Sequence, residues 1–196
     1  MALLTKSFLH GAVKAKSGFL SEEYIRNFAV NELLAAKTAA DRTYTTYDIF
    51  LSHSSEDAIY IKALRDELTA AGFSVYVDWI NDPQLNRANV NKDTAGVLRQ
   101  RMNSCRSLLY ATSDAAEKSV WMPWELGYVD AKTKSRVGII PIVEEKEKDT
   151  EFKGREYLGL YPYLDKTGDR FYLHESARRW VGFQRWLEGT DPEQHS

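Results

Sequence analysis

The stretch YDIFLSHSSED, residues 47–57, contains a short apolar strand that runs directly into the start of a helix. Residues 48–51 have the apolar composition of a buried strand, and Ser54 can cap a helix whose first turn carries two acids. Apolar residues then recur at helical spacing until Gly72, a residue that commonly ends helices. This strand-then-helix unit indicates an α/β fold.

The same unit recurs towards the carboxyl terminus. Further strands are predicted at 73–77, 108–111, 137–143 and, more weakly, 171–173, and helices at about 95–105, 123–134 and 177–187. Residues 79–92 form a segment longer than an ordinary connection between a strand and a helix. Alternating strands and helices predict a parallel sheet of about five strands with helices on both faces.

Residues 21–41 read as a separate amphipathic helix, capped by Ser21 and followed by a polar linker. We therefore expect residues 1–45 to be an N-terminal helical extension with its linker, residues 46–189 the α/β domain, and residues 190–196 a tail. The first 19 residues are acid-free, but they lack the arginine-rich pattern of a targeting peptide. They predict an ordinary cytoplasmic N-terminus.

Composition excludes several classes of protein. The chain has 196 residues, and 26 basic against 28 acidic residues give a net charge of −2, so no basic face for nucleic acid is expected. No apolar run approaches the ~20 residues that span a bilayer. The lone Cys105 rules out an internal disulfide and fits a reducing compartment. It is interpreted as a buried structural thiol, with a nucleophile as the alternative.

Ligands of parallel α/β sheets bind outside the carboxyl ends of the strands. Residues 52–53, 78–79 and 112–125 should meet there. Glu125, the last of these, directly follows Trp124 and lies four residues after Trp121, and the two rings offer flat faces for stacking a base. The alternative is that both tryptophans are core residues and Glu125 is a solvated acid in a first helical turn.

Four segments resemble the boxes of Toll/interleukin receptor (TIR) domains, in order and at compatible spacing across residues 47–188. They are YDIFLSHSSED (47–57), the strand that ends in Asp78, SVWMPWEL (119–126) and GIIPI (138–142). The resemblance implies a flavodoxin-like parallel sheet. It departs from the family pattern in residues 79–92, which lack the usual glycine, and in a long insertion at 144–165.

Many bacterial members of the family cleave NAD between nicotinamide and ribose. The resemblance implies that Glu125 is the catalytic glutamate and Trp121 its companion, and that Phe50, Ser52 and Asp78 border the nucleotide. His53 and Trp79, next to two of these positions, are also predicted to bind substrate. NAD is the expected substrate, and neither a cofactor nor a metal site is predicted. The N-terminal helix and the insertion resemble TIR proteins of anti-phage systems such as Thoeris.

One carboxylate suits this chemistry, because nicotinamide leaves as a neutral base while positive charge develops on the ribose. An anionic Glu125 could stabilise that charge. Alternative interpretations remain for the neighbours: Trp121 and Trp124 as core residues, Ser52 as a partner of turn amides, and His53 as an exposed side chain.

The function predicted is an NAD glycohydrolase or ADP-ribosyl cyclase-like enzyme whose ADP-ribose-derived product signals in anti-phage defence. Two alternatives are a non-catalytic TIR–TIR assembly module and a nucleoside deoxyribosyltransferase-like enzyme that uses Glu125 as a nucleophile. Expected partners are further copies of the chain and a downstream effector that senses the product, with neither nucleic acid nor membrane involved.

Overall fold

The computed structural model describes residues 2–18, 21–40, 46–78, 91–133 and 136–195. The described strands are β1 (Leu4–Thr5), β2 (Tyr47–Ser52), β3 (Val75–Tyr76), β4 (Cys105–Thr112), β5 (Val137–Val143), β6 (Tyr163–Thr167), β7 (Arg170–Ser176), β8 (Arg179–Gly182) and β9 (Glu193–Gln194). The described α-helices are α1 (Lys6–Ser17), α2 (Glu22–Ala40), α3 (Ala58–Ala70), α4 (Lys92–Asn103), α5 (Trp121–Thr133) and α6 (Phe183–Leu187). These elements confirm the mixed α/β class.

All nine described strands belong to one sheet in the order β3-β2-β4-β5-β6-β7-β8-β9, with β1 paired to the end of β5. The strands from β3 to β6 are parallel, and those from β6 to β9 are antiparallel. In register, Ser52 at the end of β2 lies opposite Tyr110 of β4. The carboxyl ends of the central strands therefore form one edge, as the alternating pattern predicts.

Two apolar clusters cover the two faces of the sheet. Ile49 and Leu51 of β2 pack into one cluster with residues of α1, α2 and α3, whereas Phe50 packs into the other with residues of α4 and α5. This alternation follows from the period of two along a strand, which sends successive side chains to opposite faces. Ser52 shares the parity of Phe50 and so points to the α5 face.

The N-terminal segment is built into the sheet and the core. Strand β1 pairs in parallel with β5, and the backbone N–H of Ala2 donates to Asp165 Oδ2 at 3.1 Å. Leu4, Leu9 and Val13 are buried in the same cluster as the side chains of α3. Helix α2 confirms the helix predicted at 21–41, while β1 and α1 were not predicted from the sequence.

Two predictions about the sheet were wrong. The described strands number nine instead of about five: the weak strand predicted at 171–173 is confirmed as β7, whereas β1, β6, β8 and β9 were not predicted. Residues 177–182 were predicted as helix but form a turn and β8, which pairs antiparallel with β7. The pairing outweighs the helical spacing of Trp180, Val181 and Leu187, since such spacing is only a weak preference.

Among the described residues, no helix combines the length and apolarity that crossing a membrane requires. The charged run 144–151, predicted as a solvated loop, is exposed from residue 144 to residue 151. It includes a short 3-10 turn, Glu145–Glu147, closed by reciprocal bonds between Glu144 and Glu147.

Candidate active site

The centre of the candidate site is a buried pair formed by Ser52 and Glu125. Ser52 Oγ donates to Glu125 Oε2 at 2.6 Å, and neither residue is exposed. A hydroxyl at this distance from a carboxylate makes a charge-assisted bond, about twice as strong as a neutral one. The structure thus brings together the carboxyl end of β2 and the beginning of α5, as the topology predicts. It contradicts the alternative that Glu125 is a solvated acid.

Helix α5 presents Glu125 to the sheet from its second turn. The N–H of Met122 donates to Ser119 Oγ at 3.3 Å, which satisfies one of the amides at the start of the helix. Pro123 follows in the first turn, where its missing N–H costs no hydrogen bond. The chain therefore begins α5 four residues before Glu125 and directs that side chain inwards.

The two tryptophans of the motif form one aromatic group on the first turn of the helix that carries Glu125. Trp121 is 7% exposed and meets Trp124 edge to face, with ring centroids 5.5 Å apart. Trp124 in turn stacks on Tyr128 at 5.9 Å and is only partly buried. Both rings belong to the apolar cluster that covers the α5 face of the sheet.

Phe50 lies in the same cluster, fully buried and stacked on Tyr76 of β3 with ring centroids 5.3 Å apart. This stacking joins β2 to β3 on the α5 side. The Phe50 ring therefore lies on the same face of the sheet as Ser52. Its predicted contact with nucleotide stays a prediction.

His53 and Asp78 are both buried, at 0% and 1% exposure. His53 Nδ1 lies 2.7 Å from the carbonyl oxygen of Leu51, and Nε2 lies 3.7 Å from Asp78 Oδ1. The interpretation of His53 as an exposed side chain is therefore wrong. Trp79 lies outside the described residues, and so do the following residues up to 90.

Tyr110 is a neighbour of Glu125 that sequence reasoning missed. Burial, together with the nearby Tyr157 and Glu125, raises the pKa of the Tyr110 phenol to about 12. The sequence carried one signal, since Tyr110 lies in the predicted strand 108–111, and the structure shows it opposite Ser52 in the parallel pair β2–β4. The phenol remains a protonated, neutral hydrogen-bonding group throughout the physiological pH range.

A cavity of about 770 Å³ lies at the carboxyl ends of β4 and β5. Tyr110 and Pro123 line it on the side of Glu125, and Leu3 and Lys6 line it from the N-terminal segment. Of the predicted site residues that the structure describes, none lines this cavity. We place the candidate site at Glu125 because its carboxylate can carry out the predicted chemistry, whereas the size of a cavity does not identify a reactive group.

A second buried acid holds the loop that leads from β4 to α5. Ser113 Oγ donates to Asp57 Oδ2 at 2.5 Å and also accepts from the N–H of Ala116 at 3.0 Å. Burial raises the pKa of the Asp57 carboxyl above its usual value, against the opposing effect of the Ser113 bond. The pair ties the start of α3 to the loop that precedes Glu125.

Cys105 is buried at the beginning of β4, and its Sγ lies 3.2 Å from the carbonyl oxygen of Arg101. Burial raises the pKa of its thiol to about 12, so almost no thiolate exists near neutral pH. This environment supports the structural interpretation. Within the described part of the chain, no group of three or more His, Cys, Asp or Glu side chains is arranged to hold a metal ion.

The parallel sheet, the buried Ser52–Glu125 pair at its carboxyl edge and the tryptophan-rich start of α5 define a class of protein. Residues 49–173 match the family model described as "TIR domain", and the chain belongs to that family. The resemblance inferred from the four sequence boxes is confirmed.

Two relatives are similar over different lengths. The chain is 43% identical over 175 residues to "Probable 3' cyclic ADP-D-ribose synthase ThsB'" of Bacillus cereus (strain MSX-D12), covering 83% of this chain and 90% of that protein. It is 32% identical over 83 residues to "Putative cyclic ADP-D-ribose synthase TIR2" of Cytobacillus dafuensis, covering 42% of this chain and 22% of that protein.

Proposed function

We propose that this chain cleaves NAD between nicotinamide and ribose and closes the remaining ADP-ribose into a cyclic signal that acts in anti-phage defence. The observation that carries the proposal is the buried carboxylate of Glu125, held by Ser52 at the carboxyl edge of a TIR-domain sheet. The names of both relatives, as cyclic ADP-D-ribose synthases, support the cyclic product.

The reaction requires one negative charge in a dry site. The electron pair of the C1′–N1 bond leaves with nicotinamide, which was a pyridinium and departs neutral, so no general acid is needed. Positive charge then develops on the ribose, as in glycoside cleavage. The Glu125 carboxylate stabilises that charge, and its burial makes the electrostatic effect larger than it would be in water.

The fate of the ribosyl cation decides the product. Capture by water gives ADP-ribose, nicotinamide and one proton, whereas capture by a nucleophile of the same ADP-ribose gives a cyclic product, nicotinamide and one proton. Exclusion of water from the site favours the second outcome. The burial of Ser52, Glu125 and Trp121 supports cyclisation for this reason.

No cofactor takes part in the proposed reaction, since NAD is consumed as the substrate. TIR–TIR self-association completes the site, and a downstream effector senses the product. A non-catalytic assembly module predicts the opposite biochemical result, namely no turnover of NAD at any protein concentration.

The test is to incubate concentrated protein with NAD and to measure nicotinamide release and the mass of the product. Glu125→Gln is expected to lower the rate by about 10²–10³-fold, the usual cost of removing one electrostatic stabiliser. Glu117→Gln is the matched control, because Glu117 makes an exposed ion pair with Arg155. Nicotinamide release that is unchanged in Glu125→Gln would rule out the proposed role of Glu125.

The third candidate, a nucleoside deoxyribosyltransferase-like enzyme, uses its glutamate as a covalent nucleophile. A sugar adduct trapped on Glu125 and detected by peptide mass spectrometry identifies that mechanism. Absence of an adduct during active NAD turnover favours the electrostatic role.

A further inference from the structure

The side chain of His53 links the ends of two neighbouring strands. Nδ1 lies 2.7 Å from the carbonyl oxygen of Leu51 in β2, and Nε2 faces Asp78 Oδ1, two residues beyond β3, at 3.7 Å. His53 directly follows Ser52, whose hydroxyl bonds Glu125. His53 is therefore the next residue in the chain after Ser52 of the candidate catalytic pair, and its imidazole faces the carboxylate of Asp78.

The chemistry of these contacts constrains the protons on the ring. A carbonyl oxygen only accepts hydrogen bonds, so Nδ1 carries a proton. If Asp78 is ionised, a bare Nε2 would direct its lone pair at a carboxylate oxygen, and the two would repel each other. A proton on Nε2 reverses the sign of this interaction, and burial of both groups strengthens it relative to water.

We propose that His53 is a positioning residue: a buried imidazolium that links Leu51 O to the Asp78 carboxylate and so fixes Asp78 at the carboxyl end of β3. In this arrangement His53 does not contact NAD. It acts through Asp78, which precedes residues 79–90 in the chain and was predicted to border the nucleotide. The kinetic part of this inference rests on the proposed function, whereas the protonation state does not.

The first experiment measures the protonation state by ¹⁵N NMR of the imidazole nitrogens at neutral pH. The chain has four histidines, and His53 is assigned by the resonances that disappear in His53→Asn. Two protonated nitrogens are expected in the wild type, and a neutral ring with its proton on Nδ1 is expected in Asp78→Asn. A neutral His53 in the folded wild-type protein overturns the proposal.

The second experiment separates the two ring nitrogens. His53→Asn keeps a donor near the position of Nδ1, whereas His53→Gln keeps one near Nε2, opposite Asp78. We expect His53→Asn to raise KM for NAD by about 10- to 100-fold with a much smaller change in kcat, the cost of a misplaced binding group. His53→Gln is expected to recover most of this loss, which a general packing defect would not do. Equal loss in both variants overturns the proposal.

A double variant tests whether His53 acts through Asp78. If it does, His53→Asn combined with Asp78→Asn is no worse than Asp78→Asn alone, because the contact is already broken. Losses that multiply would mean that His53 contacts the substrate itself, and this outcome overturns the proposal. Should the wild type release no nicotinamide, the proposed function fails, and the NMR result still decides the role of His53.

Discussion

Ser52 Oγ and Glu125 Oε2 are 2.6 Å apart in a part of the molecule where neither side chain is exposed. The first ends a strand, the second lies on a helix 73 residues later, and their bond holds the two elements together. The hydroxyl donates and the carboxylate accepts, so the bond favours the charged form of the acid that the proposed chemistry requires.

Loss of the Ser52 hydroxyl is expected to affect stability and activity together. Ser52→Ala leaves the buried Glu125 without this donor, so the free energy of unfolding should fall by about 1–3 kcal/mol. The rate of NAD cleavage should fall as well, because the carboxylate is no longer fixed in place. Urea denaturation and kcat/KM for NAD measure the two effects.

The control for this prediction is a double-mutant cycle with Glu125→Gln. A neutral amide makes a weaker bond than a carboxylate, so the stability cost of Ser52→Ala should be smaller in the Glu125→Gln background. Equal costs in both backgrounds would show that the bond does not stabilise a charged Glu125.

The sequence allowed the position of the candidate site to be predicted, but not its contacts. The alternation of strands and helices, with the carboxyl ends of parallel strands meeting at one edge, placed Ser52, Asp78 and Glu125 at that edge of the sheet. The bond between Ser52 and Glu125 depends on side-chain rotamers and on the height of α5 above the sheet. Neither quantity has a signal in local periodicity.

The carboxyl-terminal hairpin shows a second limit of sequence patterns. Trp180, Val181 and Leu187 have helical spacing, yet the first two lie in β8. Pairing with β7 decides the outcome, and that partner is identified only once the fold is known. Likewise Leu4 and Thr5 gave no strand signal, because β1 is only two residues long and depends on β5.

Cys105 is expected to be chemically inert in the folded protein. Burial raises its pKa to about 12, which keeps the thiol protonated, and reagents that need the thiolate should not label it at pH 8. Labelling should become fast in denaturant. The folded state disfavours the thiolate, so Cys105 also lowers the free energy of unfolding as the pH rises above the ordinary thiol pKa of about 8.5.

Replacement of Cys105 by alanine provides the functional check. Since the thiol is assigned a packing role, Cys105→Ala should keep its NAD-cleaving activity and lose only the stability of a small buried side chain. A large loss of activity in a stably folded Cys105→Ala protein would instead support the nucleophile interpretation.

Gly154 is expected to be intolerant of a side chain. Its φ is +66°, and a Cβ there would lie 2.4 Å from the backbone nitrogen of Gly159, so Gly154→Ala combines backbone strain with a clash. Gly168→Ala is the matched control, because its φ is +61° and nothing lies within 4 Å of the added carbon. The control should cost about 1–2 kcal/mol. Thermal unfolding should show a larger loss for Gly154→Ala, and equal losses would contradict the predicted clash.

Self-association predicts that specific activity rises with protein concentration, because a site completed by a second copy follows mass action. Nicotinamide release per milligram of protein should therefore fall on serial dilution, in parallel with the sedimentation coefficient. Specific activity that stays constant while the protein remains monomeric would show that one chain holds the complete site.

The N-terminal segment should be essential for stability. Leu9 of α1 is 0% exposed and packs in the same core as α3, so Leu9→Ala should lower the free energy of unfolding by about 2–5 kcal/mol.

Phe8, its neighbour on the same helix, is the control: it is 44% exposed and lies under the Lys166 ammonium. Phe8→Ala should cost only about 0.5–1 kcal/mol, the value of an exposed cation–π contact. Chemical denaturation compares the two. Similar small losses would mean that α1 is a detachable extension, and a large loss confined to Leu9→Ala would mean that the fold begins at β1.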